Sequence, residues 1–141
     1  MVKSKLIGLI LILIATISSC KKDNAASVSI TSKVWAPALT DKNSSSNPIG
    51  QILYYAVLDC EKDDTYNFGL DGKLTINRGT NKCNNAEFST EIINYSYNSS
   101  TKELIIKGVK YTVADESGVQ LKYYTTIPSA VGFQYLIYLF D

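Results

Sequence analysis

Residues 59–83 read DCEKDDTYNFGLDGKLTINRGTNKC, and the reading of this stretch decides the fold. Two short alternating runs meet at Asp71-Gly72. Tyr66, Phe68 and Leu70 share one face of the first run, and Leu74 and Ile76 share one face of the second. Asp-Gly between alternating apolar runs predicts a β-hairpin, because glycine accepts the positive φ that tight hairpin turns require. Cys60 and Cys83 stand outside the two runs, so a disulfide between them would tie the outer ends of this hairpin.

Downstream, the same pattern repeats. Over residues 87–97, Phe88, Thr90 and Ile92 alternate with Glu91, Ile93 and Tyr95. Residues 98–102 form a turn. Leu104 and Ile106 then face together, Gly108 leads into Val109, Tyr111 and Val113, and residues 115–118 turn again. Val119, Leu121 and Tyr123 follow, and residues 133–140 (FQYLIYLF) close the domain. Upstream, Val34-Trp35-Ala36 is a first strand interrupted by Pro37. Residues 40–50 (TDKNSSSNPIG) are a polar loop, the most mobile-looking part of the domain. Residues 51–58 are almost continuously apolar and fit a strand or a short helix, with strand preferred.

Seven or eight short strands with turn signals about every ten residues predict an all-β fold, a sandwich or an up-and-down barrel. Sequential hairpins without a long crossover favour an up-and-down antiparallel β-barrel of about eight strands, since closure removes exposed edges. The apolar terminal run is expected to pair with the first strand near Trp35.

Composition fits one such domain. The chain has 141 residues, 45% of them hydrophobic, with ten tyrosines and four phenylalanines; β-branched and aromatic residues favour strands. The formal charge is +1, and removal of a leader carrying Lys3 and Lys5 leaves the remainder slightly acidic. No strongly basic patch suggests nucleic acid as a partner. Arg78 is the single arginine, and histidine is absent. The usual proton-transfer side chain is therefore missing, and with it a common metal ligand.

The N-terminus carries a different signal. Residues 1–19 have a basic start and an apolar run from Leu6 to Ile17, the pattern of a secretory leader, too short to span a membrane. The run ends in Ile17-Ser18-Ser19-Cys20. That tetrad resembles the lipobox of bacterial lipoproteins, which implies cleavage before Cys20, acylation of its thiol by chains such as palmitate, and anchorage to the bacterial envelope, at the outer membrane. Multiple acyl chains make such anchoring stable. Lys21-Lys22-Asp23 resembles the export tag of some surface-exposed lipoproteins; it is equally a solvated start to a tether. Residues 20–32 are read as the lipidated cysteine and a flexible spacer, and residues 33–141 as the folded domain.

Once Cys20 is acylated, Cys60 and Cys83 are the remaining pair, and an even pair in an exported chain forms a disulfide. Asp59, Glu61, Asp63 and Asp64 form an acidic cluster. A calcium loop would need a D-x-D-x-D-G pattern that is missing, and a glycosidase a separate second carboxylate; the expectation is a solvated turn. No catalytic residue, metal ligand or cofactor is assigned, and the chain is read as non-enzymatic. An eight-stranded barrel has room for its own side chains or for one small ligand. Trp35, Tyr66, Phe68, Tyr111, Tyr123 and Tyr135 are the candidate lining of a site for a small apolar ligand; alternatively, these rings fill the interior. Tyr55, Tyr124 and Tyr138 fall on the opposite phase and would present a patch to a protein partner.

Taken together, Cys60-Glu61-Lys62-Asp63-Asp64, Tyr66, Phe68, Asp71-Gly72 and the stretch from Gly79 to Cys83 resemble the lipocalin-like domain of small bacterial lipoproteins. That family has a tryptophan near its first strand, then a C-x-K-D-D element, an aromatic-x-F strand, a D-G turn and a G-x-x-x-C element. The resemblance covers residues 33–141 and implies a barrel. Lipocalins carry Gly-x-Trp where this chain has Lys33-Val34-Trp35, and a late arginine where none follows Arg78. The function expected is ligand binding by a lipid-anchored barrel, or a structural or protein-interaction role for a filled one.

Overall fold

A computed structural model describes residues 29–128 and 132–141. The expected leader, Cys20 and most of the expected spacer lie outside the described residues, as do positions 129–131.

The fold is all-β. Eight strands, β1 (Ile52–Tyr54), β2 (Thr65–Phe68), β3 (Lys73–Asn77), β4 (Thr90–Asn98), β5 (Glu103–Ile106), β6 (Val109–Glu116), β7 (Leu121–Thr126) and β8 (Tyr135–Phe140), form one sheet. Its order is β1-β8-β7-β6-β5-β4-β3-β2. From β2 to β8 every neighbour is antiparallel and sequential, while β1 joins β8 in parallel. The sheet is therefore mixed. It is not closed by a continuous ladder, so the all-β, eight-strand part of the expectation holds, the all-antiparallel part is corrected by the parallel β1, and barrel closure is not shown.

The gap has a local cause. Residues 35–38 lie between the β2 edge and the end of β8 and make only isolated bridges, Trp35 to Tyr66 and Pro37 to Phe140. Trp35 N–H donates to Tyr66 O (2.9 Å), and Trp35 O accepts Tyr66 N–H in return (2.7 Å). On the other side, Ala36 N–H donates to Asp141 O (3.0 Å) and Ala38 N–H to Leu139 O (2.9 Å). Odd residues thus address β2 and even residues β8. The next donor toward β2 falls at Pro37, which has no N–H, so that ladder stops after one residue pair. The predicted strand at 34–36 is reduced to these bridges, and the terminal run does meet the segment at Trp35.

The two faces of the sheet are both covered. Tyr66 and Phe68, Leu74 and Ile76, Ile93, Leu104, Val113, Leu121, Tyr123 and Phe140 pack one core together with Trp35 and Ile30. Ile30 is fully buried and its carbonyl accepts the Trp35 indole N–H at 2.7 Å, so the end of the expected spacer belongs to the folded domain. The opposite face holds a smaller cluster of Ala38, Ile137 and Leu139, with Ile52 and Tyr124 against it. A bulge between Val113 and Asp115 turns Asp115 to the outer face and Glu116 to the inner one.

The hairpin of residues 65–77 forms in the predicted place, with Phe68 opposite Leu74. Its turn runs from Gly69 to Gly72, closed by Gly72 N–H on Gly69 O, and Gly72 holds φ +75. Asp71 keeps an ordinary negative φ, so the loop is a three-residue turn with a glycine bulge rather than a two-residue one. Leu70 sits at the turn and is exposed, not on the core face.

Cys60 and Cys83 are bonded, with Cα atoms 5.0 Å apart and a sequence separation of 23. A loop of this length stabilises by about 3 kcal/mol on the chain-entropy model. The double variant Cys60→Ala, Cys83→Ala is expected to lose about that much in urea unfolding of the folded domain. An unchanged midpoint would show that the bond constrains nothing the folded sheet does not already hold.

The loop at 40–50, read as mobile, is tied down. Lys122 is fully buried on the outer face of β7. Its ammonium contacts Asp41 Oδ1 (2.7 Å), Asn43 O (2.6 Å), Ser46 Oγ (3.0 Å) and Asn47 Oδ1 (2.8 Å). Gln120, also buried, accepts Lys42 N–H at 3.0 Å and donates to Thr40 O at 3.0 Å. A polar loop is thereby ordered by Lys122 of β7 and by Gln120 just before that strand, some eighty residues away.

Candidate functional site

The acidic turn before β2 is built into the fold rather than left to solvent. Asp64 is buried and accepts an Arg78 N–H at 2.6 Å and Gly79 N–H at 3.0 Å. Arg78 also reaches Glu87 (3.2 Å) and Glu91 (3.1 Å), so the single guanidinium gathers three carboxylates. Asp63 accepts the N–H groups of Thr80 (2.7 Å) and Asn81 (3.3 Å). A Cβ at Gly79 would stand 2.0 Å from the Asp63 carboxyl carbon, so only glycine allows this approach. Asp59 pairs with Lys62 at 2.5 Å on the surface. Among the described residues, no group of three or more His, Cys, Asp or Glu side chains is placed to hold a metal ion.

The fourth acid, Glu61, takes part in a pocket. A cavity of about 200 Å³ opens where residues 35–38, the end of β8 and residues 55–61 meet. Its walls are Pro37, Tyr55, Val57, Glu61, Tyr66, Tyr123, Tyr138, Leu139 and Phe140. The cavity thus sits beside the gap in the sheet, where the ladder to β2 fails.

Each wall has a structural origin. Tyr123 and Tyr138 are directly opposite in the β7–β8 ladder, which puts both rings on the inner face. The rings stack in a row: Tyr55 on Tyr138 (4.9 Å between centroids), Tyr138 on Tyr123 (5.3 Å) and Tyr123 on Phe140 (5.3 Å). Tyr66 meets Phe140 edge-on at 5.0 Å and turns the corner of the wall. Offset and edge-on pairs of this kind add about 0.5–1.5 kcal/mol each beyond burial. Residues 55–61 form a strap over the row. Tyr55 N–H is held by Ile137 O (2.8 Å), and the far end of the strap is a short 3₁₀ turn, Asp59–Glu61, that includes the disulfide-bonded Cys60. Glu61 locks the strap on itself: its carboxylate accepts the Tyr55 hydroxyl at 2.9 and 3.1 Å and Leu58 N–H at 2.9 Å.

The hydroxyls of the wall stay protonated far above neutral pH. Burial and then the Glu61 carboxylate push Tyr55 up to about 12. Burial pushes Tyr66 up to about 12 against the opposing pull of Arg78. Tyr123 is raised further and Tyr138 is raised, both chiefly by burial. The pocket is therefore lined by aromatic and aliphatic side chains, neutral hydroxyls and one carboxylate.

Of the six ring residues expected to line a ligand site, Tyr66 and Tyr123 do so. Trp35 and Phe68 are fully buried core residues, and Tyr111 packs edge-on against Tyr123 (5.1 Å) and Tyr138 (5.8 Å) without reaching the cavity. Tyr135 lies on the other face, against Tyr124 at 5.3 Å. Tyr138 and Tyr55, placed in an outward patch by the sequence reading, instead build the pocket wall. Glu61 was assigned to a solvated turn. The useful signal was the spacing of Tyr138 and Phe140, two residues apart and hence on one face of β8. Comparison with protein-family models, curated proteins and solved structures finds no match to this chain.

Proposed function

We propose that this chain is a lipid-anchored envelope lipoprotein whose lipocalin-like barrel binds one small, largely apolar ligand in the tyrosine pocket and performs no catalysis. The leader ending at Cys20 supports the anchor. The unbroken meander from β2 to β8, with residues 35–38 hydrogen-bonded to both of its ends, supports the barrel reading. The observation that carries the binding role is the cavity of about 200 Å³ walled by the tyrosine row and Glu61. An apolar cavity of roughly 150 Å³ takes a benzene ring, so the space suits one compact molecule and not a long lipid.

A second reading, docking of a protein partner, has Phe88 and Ile92 in its favour, 82% and 67% exposed near the start of β4. Native mass spectrometry of the acylated protein from its own host separates the two. Ligand binding predicts one noncovalent adduct of small mass, retained by the wild type and lost in Tyr138→Ala. A bare protein that co-purifies with a second polypeptide would replace the first reading by the second.

A further inference from the structure

We propose that the tyrosine pocket selects an organic cation, a compact primary to quaternary ammonium, over uncharged molecules of the same shape; this rests on the pocket being the ligand site. The walls carry a single ionisable group besides tyrosines, the Glu61 carboxylate, and no lysine or arginine. An anion would be repelled. A neutral ligand would strip water from the carboxylate and return nothing for it, and burying an unpaired charge is costly. A cation gains from both walls at once. Tyr55, Tyr66, Tyr123 and Tyr138 line the same cavity as Glu61, and their neutral hydroxyl oxygens are acceptors for an ammonium.

Glu61 has capacity left to receive the ligand. A carboxylate offers about four acceptor positions, and here it is met by the Tyr55 hydroxyl and one backbone N–H. Those two contacts also hold it in place without a counter-cation. Lys62, next in the chain, is turned to Asp59 at 2.5 Å. Arg78, which approaches the Tyr66 hydroxyl, is engaged by Asp64, Glu87 and Glu91. Each neighbouring cation is thus matched elsewhere, and the negative charge at the pocket has none of its own.

Choline and its uncharged isostere 3,3-dimethylbutan-1-ol provide the test, titrated by calorimetry into the disulfide-bonded secreted chain. Choline is expected to bind about tenfold or more tighter than the isostere, with the preference weakening as salt is raised. Glu61→Gln, which keeps an acceptor for the Tyr55 hydroxyl and for Leu58 N–H, should bring the two probes to within a fewfold of each other. Should that variant melt early, Tyr138→Leu tests the same point from the opposite wall: it removes a lining phenol with its acceptor oxygen, leaves the Glu61 side chain in place and should weaken choline more than the isostere. Equal binding of the two probes, a choline affinity indifferent to Glu61→Gln, or no choline binding at all would overturn the cation selectivity. A host-derived neutral adduct in the pocket would do the same while leaving the ligand-binding role intact, whereas absence of any adduct would remove that role as well.

Discussion

Lys122→Met is expected to destabilise the domain by about 3–5 kcal/mol, the range for removing one partner of a buried ion pair. Methionine matches the length of the lysine stem and tolerates the apolar lower part of the site, so packing changes little. What it abandons is a set of acceptors. Asp41 Oδ1, Asn43 O, Ser46 Oγ and Asn47 Oδ1 converge on the ammonium at 2.6–3.0 Å, and all of them belong to the 40–50 loop. That loop has no strand of its own and no buried apolar side chain in its 3₁₀ turn, Ser44–Ser46. With Lys122 gone, it should open, and amide exchange at residues 41–47 should rise by orders of magnitude while β3 and β4 stay protected. Burial favours the neutral form of Asp41, but Lys122, Tyr54, Asn43 and Asn47 more than offset it and hold the acid at about 2 against an ordinary 3.8. A depressed carboxyl pKa stabilises the fold above the unfolded value and loses that contribution as pH falls through the folded one. The wild type should therefore weaken as pH drops from about 3.8 towards 2, and Lys122→Met should show much less of that slope. Wild-type exchange rates in the loop of the variant would refute the role given to Lys122.

Trp35→Ala should cost a similar about 3–5 kcal/mol, as large aromatic truncations in a core do. The ring is fully buried in the main cluster. Its indole N–H donates to Ile30 O at 2.7 Å, which pins the N-terminal end of the described chain, and the Lys33 ammonium lies 4.5 Å from its ring centre. The backbone of the same residue makes the one bridge to β2. Loss of the side chain thus releases Ile30 and loosens the contact that brings β2 towards β8. Trp35→Phe separates the two contributions in part, since it keeps a six-membered ring in the core and drops the pyrrole ring with its N–H. It should recover more than half of the loss in urea unfolding. If the alanine variant unfolds within about 1 kcal/mol of wild type, the segment at 35–38 is an ornament on the sheet and not its link.

The hairpin and the strands from β3 to β7 were legible because their alternation is clean: Leu74 and Ile76 inward, Lys73 and Asn77 outward. β8 was not. Ile137 and Leu139 are buried on one face and Tyr138 and Phe140 pack on the other, so the run is apolar in both phases and periodicity cannot set its register. That ambiguity put Tyr135 inside and Tyr138 outside. The failed closure at Pro37 was half visible, since the proline was recognised as an edge signal, but which neighbour it deprived depended on the pairing of Trp35 with Tyr66. The ordering of the 40–50 loop was invisible, because it comes from Gln120 and Lys122 across the sheet and not from any local pattern. Glu61 was hidden by its company: three acids beside it have structural partners, and only the stacking of Tyr55 on Tyr138 swings the fourth towards a cavity.

The central claim is that one site, the gap beside β8 covered by the 55–61 strap, is where this domain meets its ligand. NMR of protein labelled at its ten tyrosine rings, titrated with the small-molecule fraction of its own host's envelope, tests it most directly. The account predicts shifts concentrated on Tyr55, Tyr66, Tyr123 and Tyr138, with Tyr124 and Tyr135 on the opposite face unmoved. Shifts centred on Tyr124 and Tyr135, or saturating binding that leaves the four pocket rings unchanged, would contradict it.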